Sequence, residues 1–412
     1  DNESGLNCMD LINVSDTLLK QQQRQDYAGY DPFDGLNSKL FRKLQLHRFR
    51  LMRLAWLQAH KISPINLRPL LLVPRMRNPK GIALFILGLL TDCEREPSAE
   101  KLDEAQRLAN WLLQHPSDEQ RWQHMCWGYH FDWQARAFFV PKGQPNIITT
   151  SYVASALHKL YLHTGETGYQ DAAVDAAYFI SKHLLTHDEN GREFFAYIPG
   201  EDTFVHNANL WGAATVARAA TIKDDNLLTR KALKAAQLSA DLQRDDGAWV
   251  YGARHHHQFV DGFHTGYNLE ALDIIAQALN TSEFDSHISL GLKYYREHFF
   301  LPDGTPKYYD TERYPIDMHS SAQAILTFGQ LSAHYGQPQD ARLIASVMSW
   351  TMEHMYLPKR QNFRYQINKR YRNNINYARW TQAWAYYALT HFNKFMKLQH
   401  NSTNISCKDN SE

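Results

Sequence analysis

The stretch His264-Thr-Gly-Tyr-Asn-Leu-Glu-Ala-Leu is one copy of a pattern that recurs about every 55 to 60 residues. The other copies begin at Thr150, His206, His319 and Arg379. Each copy starts with a polar residue and continues into small residues that are typical of a helix, and a tyrosine-bearing segment precedes it. A repeat of this length is one supersecondary unit that cannot bury its apolar face alone. The pattern therefore predicts stacked units whose equivalent positions converge on one place.

Each unit is predicted to contain an outer helix, a short extended aromatic segment and an inner helix. Apolar residues recur at i, i+3 and i+4 in the predicted outer helices, which lie at about 99–115, 168–186, 225–243, 284–299 and 338–356. Asn-Gly or Asp-Gly turns follow several of them, at Gly191, Gly247 and Gly304. Counting one hairpin from the N-terminal third, the sequence predicts an all-α fold of about six helical hairpins.

The regions outside the repeat are predicted as follows. Residues 1–26 are polar and are expected to be loosely ordered, residues 27–398 form a single domain, and the polar tail 399–412 is disordered. One amphipathic helix is predicted from Ser38 to His60. Asn78 is predicted to cap the next helix, which has Pro79 at its first position.

Composition limits the classes of partner and compartment. A net charge of +1 argues against a broad nucleic-acid surface. The longest apolar run, residues 81–90, is far shorter than the roughly 20 residues that span a membrane. Four widely separated cysteines fit reduced thiols in a cytoplasmic protein, although the missing initiator Met leaves open a removed upstream segment. The sequence contains no nucleotide-binding motif, and no cofactor is predicted.

Two motifs carry a resemblance to a known family. Asp261-Gly-Phe-His-Thr-Gly-Tyr and Tyr314-Pro-Ile-Asp-Met-His look like a bacterial family that tends to be encoded among exopolysaccharide, capsule or O-antigen genes. Trp127-Gly-Tyr-His-Phe-Asp-Trp and Asn78-Pro-Lys-Gly also match that family. The hairpins resemble the (α/α)6 toroid, a fold shared by glycoside hydrolases, polysaccharide lyases and sugar epimerases. The resemblance implies an oligo- or polysaccharide partner, but a fold alone does not fix a reaction.

The inner helices are expected to point their N-terminal ends into one cleft, where exposed N–H groups suit a carboxylate. His, Tyr and Asp can move or hold protons, whereas Arg and Asn can neutralise a carboxylate. The predicted catalytic residues are Tyr251, Asp261, His264, Tyr267, Tyr309, Asp317 and His319. The predicted substrate-binding residues are Asp132, Trp133, Arg136, His206, Asn207, Asn209, Trp211, Glu270, Gln323, Arg379 and Trp380.

Each candidate also has a purely structural interpretation. Asp261 and Asp317 precede predicted helices, where an aspartate often acts only as a cap. The recurrent histidines at 206, 264 and 319 could instead pack between repeats. The run His255-His-His suggests a metal site at first sight, but three adjacent side chains fan out in direction and no metal is predicted.

Three functions follow from these residues. The first is an enzyme of bacterial polysaccharide biosynthesis or modification that removes the C5 proton of a uronic acid, as an epimerase or a lyase. The second is a glycoside hydrolase with paired carboxylates, either Asp261 with Asp317 or Asp132 with one of them. The third is a non-catalytic glycan-binding or assembly protein. A basic cleft with Tyr and His at its floor favours the first function, and paired carboxylates favour the second.

Overall fold

The computed structural model describes residues 8–134 and 138–409, with side chains described from Asp10 to Asn401. Most of the described chain is helical. The helices are α1 Cys8–Arg24, α2 Lys39–Lys43, α3 Arg50–Ile62, α4 Pro79–Arg95, α5 Ala99–Gln114, α6 Glu119–Trp122, α7 Ile147–Thr164, α8 Thr167–Phe179, α9 His206–Lys223, α10 Asn226–Asp241, α11 Gly262–Leu279, α12 Asp285–His298, α13 Met318–Tyr335, α14 Asp340–His354 and α15 Trp384–Asp409.

Six of these helices form a closed inner ring. In ring order they are α4, α7, α9, α11, α13 and α15, and α15 packs against α4 to close it. The outer layer consists of α5, α8, α10, α12 and α14, each packed on the inner helix before it, together with α1 on α15. The predicted (α/α)6 toroid of six hairpins is therefore confirmed. Because every inner helix begins at the same end of the ring, the predicted convergence of the repeats is a feature of the fold.

Short antiparallel strands lie in the connections between hairpins, as the extended aromatic segments predict. The strands are β1 Trp133–Gln134, β2 Phe139–Val140, β3 Leu185–His187, β4 Glu193–Phe195, β5 Ile316–Asp317, β6 Tyr356–Leu357, β7 Asn362–Phe363, β8 Gln366–Ile367 and β9 Arg372–Asn373. β1 pairs with β2, β3 with β4, β6 with β7, and β8 lies between β5 and β9. These strands fix the loops from which the aromatic side chains approach the end of the ring.

Several local predictions agree with the structure. The side chain of Asn78 accepts hydrogen bonds from the backbone N–H groups of Lys80 and Gly81, so it caps α4. Gly191, Gly247 and Gly304 adopt positive φ angles of 76°, 96° and 90°. Glycine suits such turns because it lacks a Cβ that would clash in the left-handed region.

The two ends of the chain differ from their predictions. Residues 1–26 are predicted to be loosely ordered, but Cys8–Arg24 forms α1, and its Leu11, Leu18 and Leu19 are buried. These leucines pack toward α15, so tertiary contact rather than composition stabilises α1. The predicted disordered tail overlaps with α15, which continues to Asp409.

The single helix predicted from Ser38 to His60 is also wrong. The chain forms α2, a short 3-10 turn at Leu46–Arg48, and then α3. Gln45 between them has a φ of 57°, which no continuous right-handed helix allows. The leucines whose spacing predicted one buried helix face are therefore divided between α2 and α3. Of these, Leu40, Leu44 and Leu51 are exposed.

Gly88 in α4 is predicted to be sensitive to substitution, because two inner helices approach closely there. A Cβ built there would lie 2.7 Å from ring atoms of Tyr386 in α15. We expect Gly88→Ala to lower the free energy of unfolding by about 1–3 kcal/mol, because the packed ring must shift. Gly168→Ala in the outer helix α8 is the control, since its Cβ would meet nothing within 4 Å. Equal urea midpoints for the two variants would contradict this account of the ring.

Candidate active site

A cavity of about 570 Å³ opens at the end of the ring where the inner helices begin. Five inner helices contribute side chains to it from their first two turns, namely Lys80, Ile148, Asn207, Phe263, His264, Tyr267 and His319. The turn before α15 adds Arg379 and Trp380, and α3 forms one wall with Leu54, Leu57, Gln58 and Lys61. The volume is that of an ordinary small-ligand site.

Aromatic rings cover much of the cavity wall. They are Phe33, Tyr129, Phe131, Trp133, Phe138, Tyr197, Tyr251, Phe259, Phe263, Tyr267, Tyr308, Tyr309 and Trp380. Two of them, Tyr251 and Phe259, stack with their ring planes 11° apart. Rings with an apolar face and a polar edge can contact the C–H faces of a sugar while donating hydrogen bonds to its hydroxyl groups.

The cavity brings together part of the predicted site. The predicted residues that line it are Trp133, Asn207, Tyr251, Asp261, His264, Tyr267, Tyr309, His319, Arg379 and Trp380. The predicted residues that do not line it are Asp132, His206, Asn209, Trp211, Glu270, Asp317 and Gln323. Arg136 lies outside the described residues.

Asp261 and His264 form a hydrogen-bonded pair at the start of α11. Nδ1 of His264 lies 2.7 Å from Oδ2 of Asp261, and the imidazole ring lies 4.7 Å from the ring of Tyr251. Asp261 makes no side-chain cap to α11, so the interpretation in which it only caps a helix is wrong. Because a carboxylate only accepts, Nδ1 of His264 carries the hydrogen, and Nε2 of the neutral tautomer has a lone pair for a substrate proton.

Asp317, by contrast, acts as a helix cap. Its carboxylate accepts from the backbone N–H of His319 at 2.8 Å and therefore caps α13. It also accepts from the amide of Gln366 at 2.7 Å and from the indole N–H of Trp380 at 3.1 Å. Burial raises the pKa of Asp317 to about 6, although these hydrogen bonds favour the charged form. Asp317 thus holds Trp380 in the cavity wall from behind.

A buried chain of hydrogen bonds sets the orientation of His319. Nε2 of His319 lies 3.2 Å from Oε1 of Gln323, whose amide nitrogen donates to Glu270 and to Thr327. The amide oxygen of Gln323 therefore faces His319, so Nε2 carries the hydrogen and Nδ1 keeps its lone pair. Burial lowers the pKa of His319 well below its ordinary value, so the ring is neutral at pH 7.

Glu270 makes the stability of the protein depend on pH. Burial raises the pKa of Glu270 to about 8, so the folded state favours the protonated acid. The contribution of protonated Glu270 to the free energy of unfolding is complete below about pH 4.5 and is lost as the pH rises through about 8. We expect Glu270→Gln to gain stability relative to the native protein across this window, by up to about 1.4 kcal/mol per pH unit. Urea unfolding at several pH values measures the difference.

Glu283→Gln is the control for this prediction. Glu283 is exposed and bonds to Gln237 on the outside of the ring. Its stability difference from the native protein should stay nearly constant over the same pH range. Parallel curves for Glu270→Gln and the native protein would contradict a buried acid that ionises near pH 8.

His206 packs between structural elements, which was the alternative interpretation of the recurrent histidines. Its Nδ1 lies 3.0 Å from Oγ of Ser239, and burial lowers its pKa to about 3. Asn209 donates to the carbonyl of Ala235 at 2.8 Å and accepts from the N–H of Phe195 at 3.0 Å. His206 and Asn209 therefore tie α9 to α10 and to β4, and of the three recurrent histidines only His264 and His319 reach the cavity.

Lys80 is a cavity residue that is not among the predicted site residues. Its Nζ donates to Oη of Tyr267 at 2.7 Å and lies over three rings, those of Tyr152, Tyr267 and Trp384, at 4.8–5.3 Å from their centroids. Burial and the nearby Arg379 lower the pKa of Lys80 well below its ordinary value. The available signal was a lysine directly before the longest apolar run of the chain, residues 81–90.

Arg379 is already paired. Its Nε and Nη2 donate to the two carboxylate oxygens of Asp31 at 2.6 and 2.9 Å, and both side chains are buried. Burial opposes ionisation of Asp31, but Arg379 keeps the pKa of Asp31 below its ordinary value. Arg379 also lies over the rings of Tyr129 and Trp380 at 5.3 Å from each centroid. The predicted carboxylate clamp therefore has a counter-ion within the protein.

Four polar atoms of cavity-lining residues are buried and have no hydrogen-bond partner. They are Oδ1 of Asn207, Nδ1 of His257, Oδ1 of Asp261 and Nδ1 of His319. Buried polar groups without partners are uncommon and destabilising in native proteins. A polar ligand in the cavity would supply partners for these four atoms.

The remaining charges of the cavity are Lys61 and Glu201. Lys61 forms no ion pair with any described residue; burial lowers its pKa, whereas Asp317 opposes this shift. Glu201 accepts from Oγ1 of Thr203 at 2.6 Å and lies 3.5 Å from Arg254. The short turn His255–His257 places His256 and His257 on the wall, but the described part of the chain contains no group of three residues suited to a metal ion.

These features define a toroid with an aromatic, histidine-containing cavity at the N-terminal ends of its inner helices. No family model and no curated protein matches the sequence. Solved structures share the fold. Cellobiose 2-epimerase from Bacillus thermoamylovorans B4167 is 10% identical over 77% of this chain and 87% of its own, with a TM-score of 0.60.

Two further solved structures have the same architecture and different activities. An unsaturated glucuronyl hydrolase specific for heparin is 12% identical, covering 79% of this chain and 89% of its own, with a TM-score of 0.58. A GH76 α-mannanase from Bacteroides thetaiotaomicron is 11% identical, covering 77% and 87%, with a TM-score of 0.58. At these identities the likeness concerns the fold, so the reaction must be argued from the side chains.

Proposed function

We propose that this protein is an enzyme that removes the C5 proton of a uronic acid unit in an oligo- or polysaccharide. The observation that carries the proposal is the Asp261–His264 pair, which leaves Nε2 of His264 as a proton acceptor on a cavity of saccharide size. The toroid is shared with a sugar epimerase and a glucuronyl hydrolase, which supports a saccharide as the ligand. The sequence motifs make bacterial uronate-containing polysaccharides the first substrates to test.

In this proposal His264 is the general base and Asp261 is its positioning residue. Asp261 selects the tautomer of His264 and stabilises the imidazolium that forms when His264 accepts the proton. His319 is the second proton-transfer group, because its Nδ1 has no partner and its ring is neutral. The His264 and His319 rings lie 5.7 and 5.8 Å from the ring of Tyr267, so one sugar unit over Tyr267 can reach both.

Removing a proton next to a carboxylate places negative charge on that carboxylate, and a nearby cation stabilises it. Arg379 is offset by Asp31, so Lys61 is the better candidate for this role. Lys80 donates to Tyr267 and can keep that phenol oriented toward the substrate. The roles of the cations therefore differ from the sequence-based hypothesis, in which Arg379 held the carboxylate.

Two histidines on one cavity favour epimerisation over elimination. An epimerase needs one group to remove the proton and a protonated group to return a proton to the opposite face. His264 can remove the proton, and His319 can return one after its Nδ1 has taken a proton from solvent. A lyase needs the second group to protonate a leaving oxygen instead, a role that a tyrosine such as Tyr251 or Tyr309 could also perform.

Hydrolysis has less support from the carboxylates. Asp317 caps α13 behind Trp380 and does not line the cavity, and Asp132 at the rim pairs with Arg42. The carboxylates of the described cavity wall are Glu201 and Asp261, and each is held by a neighbouring side chain. A purely glycan-binding role would not need the oriented Asp261–His264 pair.

The test is a panel of acidic and neutral bacterial polysaccharides incubated with the purified protein. Epimerisation would appear as changed ring couplings in the proton NMR spectrum at constant chain length. Elimination would appear as absorbance in the unsaturated-uronate band. New reducing ends without either signal would support hydrolysis and overturn the proposal, and binding without any product would support the assembly role.

A further inference from the structure

The segment 39–72 exposes an unusual number of apolar side chains. Ten large apolar residues in it are 37–77% exposed, namely Leu40, Leu44, Phe49, Leu51, Met52, Ile62, Ile65, Leu67, Leu70 and Leu72. Elsewhere in the described chain, six comparable side chains are exposed, and they are scattered. Single exposed apolar residues are normal, whereas a concentration of them marks an interaction surface. We call residues 39–72 the basic apolar face, because the segment is also rich in Lys and Arg.

The same segment is strongly basic. Residues 39–72 contain eight Lys or Arg and no Asp or Glu, although the whole chain has a net charge of only +1. The exposed members of this set are Lys39, Arg42, Lys43, Arg48 and Arg50. The positive charge is thus gathered around the exposed apolar residues rather than spread over the protein.

The basic apolar face is built into the fold and is not a loose insertion. Oγ of Ser38 donates to the carbonyl of Leu71 at 2.6 Å, and the N–H of Lys39 donates to the carbonyl of Leu72 at 3.2 Å, so the two ends of the segment are tied together. Beneath it, Leu36, Phe41 and Leu57 form a separate small core. The exposed apolar side chains are therefore presented by a folded unit.

Helix α3 connects this face to the cavity. Leu54 and Leu57 of α3 line the cavity, whereas Leu51 and Ile62 are exposed. Because helical residues three or four apart share a face, the exposed positions 51, 55, 59 and 62 form a stripe distinct from the cavity-lining side. One helix thus forms both a wall of the cavity and part of the exposed surface.

We propose that the basic apolar face docks the protein on the surface of an anionic lipid bilayer. Leucine, isoleucine and phenylalanine side chains can insert at the boundary of headgroups and acyl chains, while surrounding Lys and Arg bind anionic headgroups. A second copy of the chain is a poorer partner, because two strongly basic surfaces would repel each other. No helix in the described ranges is long and apolar enough to cross a membrane.

Docking in this way places the α3 wall of the cavity beside the headgroups. The proposal does not depend on the reaction at His264, because it rests on the exposed residues and the charge of the segment. Its test is therefore a binding measurement and does not use catalysis.

The experiment is sedimentation of the full chain with vesicles of phosphatidylcholine alone, or with about one third phosphatidylglycerol. We expect sedimentation with the anionic vesicles, at least tenfold weaker binding to the neutral vesicles, and release as salt rises to about 0.5 M. Leu51→Ser with Leu70→Ser, and separately Lys43→Glu with Arg48→Glu, should each reduce the partition coefficient at least tenfold. All four residues are exposed, so the variants should unfold at the native urea midpoint.

The control is Leu162→Ser with Leu227→Ser, since these leucines are also exposed, on other parts of the ring. This variant should bind anionic vesicles as the native protein does. No sedimentation with anionic vesicles, or equal losses in the control and the test variants, would overturn the proposal. Dimerisation that Leu51→Ser with Leu70→Ser abolishes, without any vesicle binding, would overturn it in favour of a second copy.

Discussion

Replacing His264 with Gln is expected to lower the turnover rate on a uronate-containing saccharide by about 10²–10⁴-fold. Gln keeps a polar side chain of similar reach but cannot accept a proton at neutral pH. Because the aromatic walls stay in place, KM should change much less than kcat. The measurement is the initial rate of product formation, followed by NMR or absorbance according to the product found.

Two further variants separate proton transfer from a general structural effect. Asp261→Asn removes the carboxylate that selects the tautomer of His264, so we expect a smaller loss in kcat together with an altered pH profile. His334→Gln is the control, because His334 is an exposed histidine at the far end of inner helix α13. If His264→Gln kept the rate of His334→Gln, the assignment of the base would be wrong.

Replacing Asp31 with Ala is expected to reduce the free energy of unfolding by about 3–5 kcal/mol, because it leaves the Arg379 charge buried and unpaired. The pair joins the loop before α2 to the turn before α15, so its loss should also loosen the closure of the ring. Urea unfolding monitored by tryptophan fluorescence measures the change.

Asp26→Asn is the matched control for this prediction. Asp26 pairs with Arg77 at the surface and is 70% exposed, so its loss should change stability by less than about 1 kcal/mol. The double variant Asp31→Asn with Arg379→Gln removes both charges and should recover part of the loss of Asp31→Ala. Equal effects of Asp31→Ala and Asp26→Asn would show that the buried pair does not stabilise the ring.

The ring itself could be predicted from the sequence, because the repeat encodes one hairpin per unit and the start of each inner helix carries a recognisable pattern. His206, Gly262 and Met318 begin inner helices at or within two residues of the predicted polar residue. α1 could not be predicted in the same way. Its few leucines are stabilised by α15, which lies at the opposite end of the sequence.

The candidate site was predictable only where it depends on the repeat. His264 and His319 occupy equivalent positions of two neighbouring units, and both line the cavity. Asp31 lies 348 residues from Arg379 and meets it only because the ring closes, so no local pattern could assign the pair. The distinction between Asp261 and Asp317 also required coordinates, because both precede an inner helix and only one caps it.

The most direct test of the proposed chemistry is incorporation of solvent deuterium. The native protein and His264→Gln would each be incubated with a uronate-containing saccharide in deuterated water, and the C5 proton would be followed by NMR. We expect the native protein to exchange this proton for deuterium without shortening the chain, and His264→Gln to leave it in place. Turnover that produces new reducing ends while the C5 proton is fully retained would contradict proton abstraction as the reaction of this site.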